Sequence, residues 1–461
     1  MRINVFPAAS DVHARSRREY PLVIPIRLPG TLAALLAVML VVTISACANQ
    51  SGSTDDGNEV KPDPHPTAEH GDDADDSDTP AAEAPDPSEI SRASDSISHF
   101  GFDMFSGLAG LEPDENVIVS PQSAAILLAL LFNGAEGETR EAIGEVLYLE
   151  DPFDDSINDE HRLLASYLMS ADPDVELAIA NSLWANEGTP FEEDYLDRMR
   201  EYFDATINEV DLGEQASADQ IDEWVTENTN DRIQEMAQAL GLPDPNAVMV
   251  LLNAVYFLGN WTEPFDPDQT ADGTFSLPDG KELTVPMMSR DDDTLFTEQD
   301  GFKAIRLPYG EKERFGMEIF LPSDEHDLGD LREELDADLW QETTGSFSEQ
   351  RVNVELPSFE IEYDTGSDLD EVLRNLGMGI AYEGGSDFTP MTSADPWLSS
   401  VVQKTFIRVD EEGTEAAAVT GGEMVDSLPP QFIVDRPFFF TISDRETSTI
   451  LFMGQVTNPT E

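Results

Sequence analysis

The stretch Glu411 to Pro430 reads EEGTEAAAVTGGEMVDSLPP, and it is oddly mild for its chain: small, mostly uncharged side chains set between two apolar runs. Before it stands VVQKTFIRVD (Val401–Asp410) and after it QFIVDRPFFFTI (Gln431–Ile442). Both flanks carry the β-branched and aromatic residues of sheet strands, so the stretch is expected to be an exposed loop joining them. Loops of this length inside a compact domain are functional or disordered.

The chain has 461 residues, 40% of them apolar, enough to bury a large core and long enough for more than one domain. Asp and Glu number 94 against 25 Lys and Arg, a formal net charge of -69 spread along the whole length. Self-repulsion of that size is screened over about 3 Å at 1 M salt, so the charge reads as adaptation to a halophilic, very salty setting. It excludes nucleic acid as a partner, whose phosphates require a basic footprint.

Arg15, Arg17 and Arg18 precede the apolar run TLAALLAVMLVVTISA (Thr31–Ala46), and the small residues Ser45 and Ala46 lead into Cys47, the pattern of an export signal. As a single membrane-spanning helix the run is slightly short. The preferred reading is export with lipid attachment at Cys47, because ISAC resembles the lipobox of prokaryotic lipoproteins; Ser16-Arg17-Arg18 weakly resembles a twin-arginine export signal. Cys47 is the only cysteine, which excludes disulfides and four-cysteine zinc sites. The expected organisation is an export signal over 1–47, a disordered acidic tether over 48–89 too poor in apolar residues to fold, and a folded domain over 90–461. That organisation puts the domain outside the cell, lipid-anchored at its surface.

Within the domain, Ile97, Phe100, Met104 and Leu108 recur at helical spacing. Asn116 to Val119 reads as a short strand, and Ser120-Pro121 as the start of a helix, SAAILLALLFNG, whose apolar residues on every side predict burial. Gly134 ends it, and Thr139 is expected to cap the next helix. Strands are expected at 178–184, 248–257, 304–307, 316–321 and 352–356, and helices at 219–239 and 369–376. The elements lack regular βαβ alternation, so the class is α+β with large mixed or antiparallel sheets.

Chemistry is hard to find. There is no G-x-S-x-G elbow, S-x-x-K pair, H-E-x-x-H or G-x-x-x-x-G-K-[ST] loop. Among the histidines, His99, His161 and His326 fall in the domain and lie far apart in sequence. Acidic pairs such as Asp266 and Asp268 read as solvated surface rather than a calcium site. The expectation is no catalytic residue, no metal and no cofactor.

Eight segments in order carry a recognisable pattern: NVIVSPQSAAILLALLFNGAEGETREAI, LLNAVYFLGNWTEPFD, KELTVPMMSR, LPYGEKERFGMEIFLP, LRNLGMGIAYEGGSDFTPM, VQKTFIRVDEEGTEAAAVT, DRPFFFTI and LFMGQVTNP. Over about Ile97 to Pro459 the chain resembles the serpins, a family of serine protease inhibitors. The resemblance implies a fold of three β-sheets with surrounding helices and an exposed reactive-centre loop over about 411–430. It also implies a monomer that acts as a suicide substrate for a subtilisin-like or chymotrypsin-like protease, its cleaved loop entering the main sheet as an extra strand. The alternative within the family is a non-inhibitory member acting as a cell-surface binding module.

The loop suits insertion. A strand alternates its faces, and Thr414, Ala416, Ala418 and Thr420, all small and uncharged, share one face, while Glu415, Ala417, Val419 and Gly421 share the other. The hinge implied by the resemblance comprises Glu411, Glu412, Gly413, Thr414, Glu415, Ala416, Ala417 and Ala418, with Gly413 free to change backbone direction. Counting from Gly413 puts the scissile bond after Ser427; aligning from Pro429-Pro430 puts it at Asp426-Ser427, and Met424-Val425 is the rival that better suits an apolar protease pocket. By resemblance Ser120, Ser123, Asn253 and Gln403 form a polar shutter beneath the central strands, and Trp261 marks the breach where insertion starts. Gln403 departs from the family's usual His; an amide donates and accepts without titrating near neutral pH.

Overall fold

The computed structural model describes residues 89–411 and 429–460, apart from 152 and 395. The expected export signal with Cys47, the expected tether up to residue 88 and residues 412–428 of the loop lie outside the described residues. No helix among the described residues is long and apolar enough to cross a membrane.

The chain runs α1 (Ser91–Leu111), β1 (Val117–Val119), α2 (Pro121–Asn133), α3 (Gly137–Val146), α4 (Ser156–Met169), β2 (Val175–Asn186), α5 (Glu193–Phe203), β3 (Thr206–Val210), α6 (Gln215–Asn228), α7 (Met236–Ala239) and β4 (Met249–Gly259). It continues through β5 (Ala271–Ser276), β6 (Glu282–Glu298), β7 (Phe302–Pro308), β8 (Phe315–Pro322), α8 (Leu328–Glu334), α9 (Ala337–Gly345), β9 (Ser348–Pro357), β10 (Phe359–Asp364) and α10 (Asp368–Leu376). It closes with β11 (Lys404–Val409), β12 (Gln431–Ile433), β13 (Phe438–Asp444) and β14 (Thr449–Val456). This is the α+β architecture expected, with mixed sheets.

Ser120 caps α2, its hydroxyl accepting from Ser123 N at 3.2 Å, and Pro121 occupies the first turn where no donor is lost. α2 is buried nearly all round, as its composition required. Two local expectations are corrected. Thr139 does not cap α3: the helix begins at Gly137, which takes φ +57°, and Thr139 is buried inside it with its hydroxyl accepting from Asp387 N at 2.8 Å. The helix expected over 219–239 is two helices, because Asn230, Asp231 and Glu235 all take left-handed φ between α6 and α7.

The larger sheet has nine strands, in the order β1-β14-β13-β8-β7-β6-β9-β12 with β5 paired to β6. Its central strands β8, β13 and β14 are buried at every position, so both faces are covered. That burial leaves Glu318, in the middle of β8, needing partners. It pairs with Arg306 and accepts from Thr441 Oγ1 at 2.6 Å and Ser443 Oγ at 2.8 Å.

Two smaller sheets flank the site. In the first, β2 lies between β3 and β4; in the second, β10 pairs antiparallel with β11. On the latter pair Phe359, Ile361, Tyr363, Thr405, Ile407 and Val409 face the core, while Glu360 with Arg408 and Asp364 with Lys404 face outward as ion pairs. α6 covers one face of β4 through Ile221 and Val225 against Val250 and Leu252.

Candidate functional site

β4 pairs only with β2, and β11 only with β10, among the described residues. Between the two strands lies a cleft of about 250 Å3, lined by consecutive residues 251–259 on one side and 401–410 on the other. The strands run in the same direction. At their C-terminal ends Trp261, two residues past β4, donates from Nε1 to the carbonyl of Asp410, one residue past β11, at 2.9 Å. At the other end Val250, Leu252 and Val402 all join the small core beneath α6. Two parallel edges with a gap between them are a place for one strand, which can pair with both.

The floor of the cleft holds the expected polar residues. Gln403, only 8% exposed, bonds the backbone of Ser120 twice: Ser120 N donates to Oε1 at 2.9 Å and Nε2 donates to Ser120 O at 3.0 Å. Ser120 Oγ donates to Leu451 O at 2.7 Å. Ser120, Ser123 and Gln403 are thus brought together at the start of α2. Asn253 lines the same cleft but bonds elsewhere, donating from Nδ2 to Asn181 Oδ1 at 2.8 Å. Its Oδ1 is buried without a partner among the described residues, and so is Thr405 Oγ1 across the gap. Buried acceptors left open in a cleft are unusual and costly.

The breach end is clasped by the segment that follows β4. Trp261 stacks on Tyr309 with centroids 4.3 Å apart, and burial raises the Tyr309 phenol far above its ordinary pKa. Besides the Trp261 bond to Asp410, Phe265 N donates to Glu411 O at 2.9 Å and Thr270 Oγ1 donates to the Glu411 carboxylate at 2.6 Å. Of the hinge residues, Glu411 alone is described, and it sits where the chain leaves β11 at the mouth of the cleft. Glu412, Gly413, Thr414, Glu415, Ala416, Ala417, Ala418, Met424, Val425, Asp426 and Ser427 lie outside the described residues.

The far end is bridged. The connection from α6 to α7 crosses from β4 to β11: Lys404 Nζ donates to Gln234 O at 3.0 Å and Glu235 O at 3.3 Å, and the Arg232 guanidinium lies 5.2 Å over the Phe406 ring. Thr270, Phe265, Lys404 and Arg232 were not legible as site residues, because nothing local marks a residue that matters through a partner over a hundred positions away. Thr365, whose hydroxyl accepts from Gln403 N at 2.9 Å, also escaped, since its partner lies 38 positions away. Among the described residues no group of three or more His, Cys, Asp or Glu side chains could hold a metal ion. Asp266 instead caps the short turn over Pro267–Gln269.

Comparison with known proteins places this geometry. A family model described as Serpin (serine protease inhibitor) matches residues 95–459. Neuroserpin of Homo sapiens is 32% identical over 382 residues, covering 79% of this chain and 91% of that protein. A serpin-like protein of Thermococcus kodakarensis is 37% identical over 372 residues, covering 79% and 85%. Among solved structures, human thyroxine-binding globulin in complex with thyroxine aligns with a TM-score of 0.73 at 26% identity, covering 81% of this chain and all of that one. A cleaved serpin, 42Da, aligns with a TM-score of 0.72 at 26% identity, covering 80% and 99%.

Proposed function

This chain belongs to the serpin family, and from that premise we propose that it inhibits serine endopeptidases as a suicide substrate. The observation that carries the reading is the cleft, with two facing edges open to one more strand and a chain that leaves β11 at its mouth. A chain that leaves β11 at Glu411 and turns back runs antiparallel to β11 and to β4, the only polarity that a short connection permits.

In this proposal a subtilisin-like or chymotrypsin-like protease attacks the loop at Asp426-Ser427, or at the rival Met424-Val425, and forms an acyl-enzyme. The released segment enters the cleft from Thr414 onward, with Thr414, Ala416, Ala418 and Thr420 facing the packed side. Entry completes the pairing of both edges and brings backbone donors within reach of the level of Asn253 and Thr405. About sixteen residues at about 3.3 Å each carry the protease some 50 Å. Distortion of its catalytic geometry then stalls hydrolysis, since small misplacements cost large rate factors. No residue of this chain performs catalysis. The protein works as a monomer, exported and lipid-anchored through Cys47, in a salty medium that screens its charge.

The test is one gel. The protein is incubated in high salt with a subtilisin-like and a chymotrypsin-like protease and run under denaturing conditions. A heavier band that survives denaturant supports covalent trapping. Cleavage without such a band, and without a rise in melting temperature after nicking, refutes it in favour of a non-inhibitory surface-binding member of the family.

A further inference from the structure

We propose that Asn260 carries an N-linked glycan, installed before the domain closes; the inference rests on the export reading above and not on inhibition. Asn260-Trp261-Thr262 is an Asn-x-Thr acceptor triplet, and the chain has one other of the Asn-x-Ser/Thr form, Asn49-Gln50-Ser51; Asn458-Pro459-Thr460 is barred by its proline. The structure divides the Asn260 triplet in two. Asn260 is half-buried at the turn after β4, and its side-chain amide has no hydrogen-bond partner among the described residues. It lies on the rim of an open groove lined also by Met169, Asp174, Glu176 and Leu258.

The other two residues are locked. Trp261 is 3% exposed and stacked on Tyr309, while Thr262 donates from Oγ1 to Gly310 O at 2.6 Å and from N to Pro308 O at 2.9 Å. A transferase that must bind the threonine hydroxyl cannot reach it in the folded domain, so the modification belongs to the unfolded chain during export. The step is a transfer from a lipid phosphate- or diphosphate-linked sugar: the Asn260 amide nitrogen bonds to the anomeric carbon, the carbon–oxygen bond to phosphate breaks, and the amide proton leaves with the phosphate.

The groove accounts for where the sugar goes after folding. It lies on the β2 side of β4, where Val175 pairs with Gly259, and so on the opposite side of β4 from the cleft. Exposed Asp174 and Glu176 offer carboxylate acceptors to sugar hydroxyls there. A glycan on Asn260 therefore stands beside the breach without entering the path of an inserting strand.

The experiment uses the full chain recovered from the surface or medium of its producing cells, digested and analysed by peptide mass spectrometry. The expected result is a sugar mass on the peptide containing Asn260, lost in Asn260→Gln and kept in Thr262→Ser, with protease trapping equal in the wild type and Asn260→Gln. A bare Asn260 peptide from exported protein overturns the proposal, whether or not Asn49 carries sugar. Protein found only inside the cell strikes the export reading itself, and this inference with it, while leaving the inhibition test untouched.

Discussion

Replacing Gln403 by leucine tests whether the shutter is held as the structure describes. Leucine fills a similar volume but makes neither bond to Ser120. The two losses are unequal. Ser120 O keeps a second donor, Ala124 N at 3.1 Å, so that side costs little. Ser120 N has no other partner among the described residues and is buried, and an orphaned buried donor costs about 1–3 kcal/mol, to which the lost bond from Nε2 adds up to about 1 kcal/mol. The added apolar burial of leucine returns about 1 kcal/mol, leaving a net loss of about 0–3 kcal/mol. The assay is urea unfolding at fixed high salt, followed by tryptophan fluorescence and read as the shift of the first transition with its slope unchanged. A Gln403→Leu variant more stable than wild type would refute the reasoning, since removing a bond that satisfies a buried helix start cannot yield a gain. Gln403→His sharpens the test. Only neutral imidazole can accept from Ser120 N, so protonation favours the unfolded chain and lowers the folded pKa. The variant's stability relative to wild type should therefore be full above about pH 6.5 and fall as pH drops below it.

Four further outcomes are expected. His161 is fully buried with both ring nitrogens unpartnered among the described residues, and burial lowers its pKa to about 4; the folded state thus resists its protonation, and His161→Leu should remove up to about 3 kcal/mol of the stability lost between about pH 6.5 and 4, seen as a shallower pH profile of unfolding. Glu318→Gln strands the buried Arg306 guanidinium without its counter-charge and should lose about 3–5 kcal/mol, measured by the same unfolding assay. Trp261→Phe keeps the ring near Tyr309 but deletes the bond to Asp410; about 1 kcal/mol should be lost, and hydrogen exchange at Glu411 should quicken while exchange in β14 does not. On the proposed mechanism, Thr414→Arg should replace trapping by simple cleavage, because a cation would have to be buried at the first inserted position; unchanged trapping stoichiometry would sink the insertion argument there.

Much of the scaffold was legible because its signals are local. Ser120-Pro121 announced a capped helix, the unbroken apolar run after it announced burial, and the largely apolar runs at 304–307 and 316–321 announced strands that the structure extends by a residue or two at each end. What failed were signals that tertiary contacts override. Thr139 has the chemistry of a cap, yet its hydroxyl serves Asp387, while the backbone of Gly137 sets the helix start. The 219–239 segment keeps helical spacing through residues whose backbones must turn to carry Arg232 and Gln234 across to β11. The shutter was legible only through family resemblance, and even so Asn253 bonds to Asn181 rather than to the Ser120–Gln403 pair. That choice depends on how far β4 and β11 stand apart, which no window of sequence encodes.

If the loop inserts as proposed, the connection between α6 and α7 sets an order of events in time. A strand entering at Asp410 meets bare edge backbone over the upper part of the cleft, and only at the level of Phe406 does it arrive beneath a roof fastened by Arg232 and Lys404. Progress should therefore be brisk, then pause, and the pause should lengthen or shorten with the strength of those two cationic fastenings while the opening rush stays the same. The molecule would then carry its own stopwatch, wound by two side chains remote from the bond that starts it.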